Sequence, residues 1–240
     1  MQPGMAHPEG RQLSVLLRGE PESLCAWTER WDARRLALCL GVIVVGAGLY
    51  GAAMGWWRAP RQALFVALKF PLIILLTALG NALLNAMLAP LLGLNLTWRQ
   101  SLLAILTSFT LAAVILAAFS PLAAFLVWNA PSMTSDLRQS GLTYSFIQLT
   151  HVACIALAGI AANLRLAQLL RQASPSPVLA RRVLVAWLAG NLFLGSQLSW
   201  MLRPFIGSPS LPVEFLRASP LKGNFYESVL HALLHLLQLN

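Results

Sequence analysis

Long apolar stretches dominate the chain, and the charged residues are confined to the segments between them. Five runs contain no Asp, Glu, Lys or Arg, and each is long enough to cross ~30 Å of hydrocarbon as a helix of about 20 residues. These runs are 36–57, 70–98, 100–135, 139–164 and 183–202. The pattern predicts an all-α fold: a polytopic membrane bundle of about five transmembrane helices, with an interfacial helix at each end.

The chain accordingly divides into a membrane domain, residues 36–202, and two flanking segments. In residues 1–35, Leu24, Trp27 and Trp31 share one helical face, which favours an interfacial helix over a solvated linker. Residues 203–240 begin as a proline-rich loop and end in a short amphipathic helix. His231 and His235 lie one turn apart in that helix, but a pair without a third ligand is a weak metal signal.

Composition and charge narrow the partners that the chain can have. Apolar residues make up 58% of the sequence and charged residues 10%, far from the about 25% charged content of a soluble domain. The net charge of +9 comes from basic residues clustered at span ends, a pattern typical of topology signals and anionic-lipid contact. We therefore expect contact with the lipid bilayer and with other membrane subunits, no nucleic acid, and no cofactor.

The first predicted span carries a glycine face. Gly41, Gly48 and Gly55 repeat every seven residues, and Gly51 forms a GxxxG pair with Gly55. Small residues let two helix backbones approach closely in lipid. The repeat predicts a face buried against protein, either another span of this chain or a second subunit.

Two later spans carry polar stripes at four-residue spacing: Thr77, Asn81 and Asn85 in one, and Asn191, Gly195 and Ser199 in the other. Amides in lipid must find partners, so we expect the stripes to face one another as packing groups. A substrate path is the alternative. His151 is expected to hydrogen-bond to a neighbouring helix; the alternatives are a haem or pigment ligand and a proton carrier.

Span limits and orientation follow from the remaining charges and prolines. We expect residues 58–69 to lie flat on the membrane and the second span to start near Pro71. The third span, over about 102–127, is expected to be tilted or kinked, since Pro121 removes a backbone hydrogen bond late in it. With the N-terminus in the cytoplasm, ten basic residues fall on the inner side and seven on the outer. The inequality favours a cytoplasmic N-terminus.

Two stretches carry a resemblance. Residues 50–55, Tyr-Gly-Ala-Ala-Met-Gly, and residues 202–207, Leu-Arg-Pro-Phe-Ile-Gly, followed by Gly-Asn-Phe-Tyr at 223–226, resemble a group of uncharacterised bacterial polytopic membrane proteins. The span count is also similar to the Yip family of membrane-trafficking proteins, although only Leu49-Tyr50-Gly51 of its Asp-Leu-Tyr-Gly-Pro motif is present. The resemblance implies a multi-pass protein of the bacterial inner membrane and no catalytic residues.

The absence of carboxylates from all five runs separates the function classes. Coupled ion or proton transport is hard to arrange without an intramembrane acid. An enzyme would have to pair His151 with Ser196, yet Gly195-Ser196-Gln197 lacks the rhomboid-type Gly-x-Ser-Gly pattern. We therefore expect a non-enzymatic scaffold or accessory subunit of a membrane complex. An uncoupled transporter, channel or lipid-handling protein is the alternative.

Overall fold

The computed structural model describes residues 32–94, 97–131, 137–208 and 210–237. These residues form six helices, five of which are long and apolar enough to cross a membrane. The helices are α1 (Ala33–Gly55), α2 (Pro60–Leu91), α3 (Trp98–Asn129), α4 (Leu137–Ala173), α5 (Pro177–Met201) and α6 (Phe225–Leu236). The five-span all-α prediction is thus confirmed. The interfacial helix predicted before residue 32 lies outside the described residues.

The start of α2 corrects the sequence prediction. Pro60 occupies the first turn of α2, where its missing N–H costs nothing, and the helix runs on unbroken through Pro71. Residues 60–69 therefore form the first turns of this span and do not lie flat on the membrane. The charge pattern misled the prediction because Gln62 and Lys69 are both fully buried inside the protein.

The other spans begin before their uncharged runs, and α3 and α5 begin at recognisable N-caps. Thr97 and Gln100 form a capping box at the start of α3, and the Ser176 side chain accepts a hydrogen bond from the Leu179 N–H in α5. α3 continues past Pro121 as one helix. α4 runs nine residues beyond the predicted limit at 164 and carries Arg171 in its last turn. A positive charge there interacts favourably with the helix dipole.

The five spans pack around a shared core. α1 packs against α2 and α3, which also contact each other; α4 packs against α3, and α5 against α2 and α4. α6 lies across α4 and α5. Fully buried apolar side chains fill the centre, among them Ile43, Leu103, Ile147 and Trp187.

Short connections make successive spans antiparallel, so the bundle has two distinct ends. We call one the loop end: it holds the α1–α2 turn, the end of α3, the described residues 202–208 and 210–224, and α6. The Trp57 indole donates to the Pro131 carbonyl across this end, at 3.1 Å. The opposite, arginine end carries most of the described arginines: Arg34, Arg35, Arg99, Arg165, Arg171, Arg181 and Arg182.

Candidate functional site

The glycine face of α1 packs against α2 near the turn that joins them. A Cβ built on Gly51 would lie 2.7 Å from the Val66 carbonyl oxygen, and one on Gly55 would lie 2.8 Å from the Gln62 carbonyl oxygen. At Gly48 the nearest atom of α2 is 3.4 Å away. Only glycine therefore fits at the two positions nearest the turn.

Gly41 departs from the predicted buried face. A Cβ there would meet no atom within 4 Å, because the close contacts of α1 with α2 loosen away from the turn. Gly46, which is outside the heptad repeat, makes the closest approach instead: its Cβ would lie 2.6 Å from the Ala113 carbonyl oxygen of α3. The run Gly46-Ala47-Gly48 of small residues was the signal for this contact.

The structure brings the two polar stripes together at Asn81 and Asn191. The Asn81 Nδ2 donates to the Asn191 Oδ1 and, at 3.3 Å, to the Trp187 carbonyl. Asn85 Nδ2 donates in turn to the Asn81 Oδ1 at 3.3 Å. Asn81 and Asn85 are 0% exposed, and Gly190 makes room for the Asn81 side chain. The amides join α2 to α5.

The outer members of the stripes meet less closely. Thr77 lies 3.8 Å from the position of a Cβ on Gly195, which is van der Waals contact. The buried Thr77 hydroxyl has no hydrogen-bond partner among the described residues. Ser199 is half-buried and forms no hydrogen bond to α2 within the part of the chain that the structure describes. The stripes therefore pair over two turns and diverge toward Ser199.

His151 forms a hydrogen bond with a tyrosine of α1. The Tyr50 hydroxyl lies 2.8 Å from His151 Nδ1, and the two rings meet edge to face at 86° with centroids 5.4 Å apart. Tyr50 is 0% exposed and also contacts Phe70. This partner was not predicted, although Tyr50 is the sole tyrosine in the first three uncharged runs. The contact joins α1 to α4, which have no extensive backbone contact.

The loop end contains a buried cation. Lys69 is fully buried, and its Nζ donates to the Pro204 carbonyl at 3.1 Å. The same Nζ lies 4.7 Å from the centre of the Phe215 ring and 5.8 Å from that of Phe205. Gln62 Nε2 donates to the carbonyls of Pro204 and Phe205, both at 2.9 Å. One face of α2 thus holds the loop by its backbone oxygens.

Arg203 organises the rest of this loop. Its guanidinium stacks over Trp200 at 4.0 Å and donates to the carbonyls of Pro220, Ser219 and Lys222 at 2.7, 2.8 and 3.0 Å. Gly207 and Gly223 hold positive φ angles of 87° and 80°, a conformation that favours glycine. These contacts make the described part of the loop a fixed cap on the bundle.

An open cleft of about 730 Å³ lies beside this cap, between α4, α6 and the loop. Ser145 Oγ lies 3.2 Å from His235 Nδ1, and Gln148 Nε2 donates to Ser228 Oγ at 3.1 Å. Glu227 lies 3.9 Å from His231, so the acid is paired with a different histidine from the one that faces Ser145. The serine, histidine and acid do not line up as a catalytic triad.

No metal-binding cluster of three His, Cys, Asp or Glu side chains occurs within the described ranges. The chain matches no family model, no curated protein and no solved structure.

Proposed function

We propose that this multi-pass protein is a non-enzymatic accessory or scaffold subunit of a membrane complex. The observation that supports the proposal is the hydrogen bonding of the amide side chains in the spans. Asn81 bonds to Asn191, to the Trp187 carbonyl and to Asn85, and Asn81 and Asn85 have no exposed surface. The Asn85 Oδ1 has no hydrogen-bond partner among the described residues, but it is buried and faces no open space. Amides that line a solute path would keep some donor or acceptor facing open space.

The surface for the partner is assigned to α5. Only 17% of its most apolar stretch is buried within the protein, against 50% for α2 and 56% for α3. Leu192 and Phe193 are about two-thirds exposed, at 65% and 63%. In lipid, helices associate by side-chain packing and hydrogen bonds, and the apolar stretch of α5 has the smallest buried share of the five spans.

Photo-crosslinking in native membranes tests this proposal. A benzophenone amino acid at Leu192 is expected to give one discrete protein adduct. Leu79, which is 47% exposed on α2, serves as the matched position and is expected to react with lipid alone. Equal labelling at both positions, with no protein adduct at either, contradicts the accessory-subunit role.

A second candidate, uncoupled movement of a neutral solute, is favoured by the open cleft at the loop end, whose lining includes Ser145, Gln148 and Ser228. Below the cleft, however, α4 presents buried Ile147 and His151, which argues against a continuous path. Purified protein in liposomes should show no solute flux above that of empty vesicles. Flux that Asn81→Leu abolishes without loss of stability would favour the transporter over the subunit.

We also propose that the arginine end faces the cytoplasm, with the N-terminus there, in a bacterial inner membrane. The support is the seven arginines that the described helices place at that end, since cytoplasmic ends carry excess Lys and Arg. Cysteine replacement of Arg181 and Lys222, followed by an impermeant thiol reagent on intact cells, separates the ends. Labelling at 222 alone agrees with this orientation, and labelling at 181 alone reverses it.

A further inference from the structure

An open apolar groove runs along the outer face of α1. It is a cavity of about 700 Å³ whose wall is α1 from Arg34 to Leu49, with two α3 side chains along its far part, Val114 and Ala117. The groove is distinct from the amide contacts and from the loop-end cleft, which use other helices. Neither the glycine repeat nor the proposed α5 contact accounts for it.

The groove is longer than the hydrocarbon depth of one leaflet of a bilayer. Fifteen residues of helix separate Arg34 from Leu49, and at a rise of 1.5 Å per residue they span roughly 22 Å. Half of a ~30 Å hydrocarbon core is roughly 15 Å, so the groove runs from the membrane surface past the midplane. Gly41 leaves the groove open, because a Cβ there would meet nothing within 4 Å.

The chemistry of the groove changes from one end to the other. Its wall is apolar except at the arginine end, where Arg34 lies at its mouth. Asp32 accepts a hydrogen bond from the Arg34 backbone N–H at 2.9 Å, and its carboxylate lies 3.9 Å from Arg35 Nε. The Arg34 side chain itself has no ion pair within the described part of the chain. The positive charge of Arg34 thus lies at the membrane-surface end of the apolar groove.

We propose that this groove binds an anionic phospholipid, with an acyl chain along Gly41, Val45 and Leu49 and the headgroup phosphate at Arg34. A basic residue at headgroup depth attracts anionic lipid. An apolar groove on a membrane-facing surface is already shielded from water. A second protein copy would need a larger contact area than this narrow groove offers, because specific interfaces bury about 800 Å² per partner. A single acyl chain needs only the groove.

The test is native mass spectrometry of the full chain in mild detergent, titrated with phosphatidylglycerol or phosphatidylcholine of the same acyl chains. The wild-type protein is expected to retain one phosphatidylglycerol in preference to phosphatidylcholine. Arg34→Gln should lower that preference about fivefold, the effect of one basic side chain near an anionic surface. Arg181→Gln, an exposed arginine at the same end, is the matched control and should leave the preference unchanged.

Filling the groove separates chain binding from headgroup binding. Gly41→Leu should reduce retention of both lipids, and Ala37→Leu is a second filling variant in the same wall. Gly159→Leu is the matched control, since a Cβ there also meets nothing within 4 Å. The proposal is overturned if Gly41→Leu and Gly159→Leu retain equal lipid, or if Arg34→Gln keeps the preference. It is also overturned if filling the groove converts a dimer to a monomer while lipid retention stays constant.

Discussion

The α1–α3 half and the α4–α6 half of the bundle are held together by different kinds of contact. In the first, glycines bring helix backbones together, as at Gly46 with Ala113 and Gly51 with Val66. In the second, polar side chains make the joins, as between Ser145 and His235. Backbone contact allows dense burial, with 56% of the apolar stretch of α3 buried against 17% for α5. The α1–α3 half therefore acts as the frame, and the α4–α6 half presents the loop-end cleft and the least buried apolar span.

The largest expected effect comes from a bulky residue in the α1–α3 half. Gly46→Leu would force a Cβ to within 2.6 Å of the Ala113 carbonyl oxygen, so α1 and α3 must separate, at a cost of about 3 kcal/mol. Thermal unfolding in detergent measures it. Gly159→Leu, which enters open space in the other half, should leave the unfolding temperature almost unchanged; equal losses from both would remove the distinction between the halves.

Cutting the amide link between the halves ranks second. Asn81→Leu removes three hydrogen bonds: those to Asn191 and to the Trp187 carbonyl, and the one that Asn81 accepts from Asn85. The loss should be roughly 1–2 kcal/mol, since hydrogen bonds in lipid average about 0.6 kcal/mol each. Asn85→Leu removes a single bond, to Asn81, and should cost about half as much. An Asn85 variant as damaging as the Asn81 variant would contradict this order.

Removing the buried cation should loosen the cap and spare the spans. Lys69→Met keeps the length of the side chain but loses the Pro204 hydrogen bond and the contact with Phe215. Lys69 regains water when the loop opens, so the net loss is modest. We expect roughly tenfold faster chymotrypsin cleavage after Phe215, equivalent to about 1.4 kcal/mol. Lys222→Met, an exposed lysine in the same loop, is the control, and matching cleavage rates would show that the Lys69 charge does not hold the loop.

The smallest effect is expected at α6. Ser228→Ala removes the hydrogen bond from Gln148 and should weaken docking of α6 by about 0.5–1 kcal/mol. Hydrogen exchange should rise in α6 and stay constant in α2. Faster exchange throughout the bundle would mean that α6 belongs to the frame.

The spans were predictable from the sequence, because lipid requires long uncharged helices and the chain has five runs of that kind. The start of α2 was not predictable in the same way. The rule that charges stay out of the membrane placed Lys69 at the surface, whereas the fold buries it under a loop from the far end of the chain. Residues distant in the sequence cover Lys69, and such a contact leaves no local pattern. Hydropathy alone could therefore not reveal that Lys69 is buried.

The candidate site was predictable only where spacing along one helix decides the geometry. The stripe of Thr77, Asn81 and Asn85 required a partner in lipid, and a second stripe at the same spacing supplied Asn191. For His151 the need for a partner was clear, but its identity, Tyr50, depends on how α1 and α4 are placed. For Gly41 the spacing along the helix misled the prediction. The residue falls in the heptad repeat of the glycine face, but α2 is no longer in contact with α1 at that level of the bundle.

The central claim is that the polar groups of the spans serve to bind the helices to one another. A double-mutant cycle on Asn81 and Asn191 tests it most directly, with Asn81→Leu, Asn191→Leu and the double variant compared by reversible unfolding in detergent. We predict a coupling energy of at least about 0.6 kcal/mol, the average for intramembrane hydrogen bonds. Losses that simply add, to within about 0.3–0.5 kcal/mol, would show that the two amides do not bind each other and would contradict the claim.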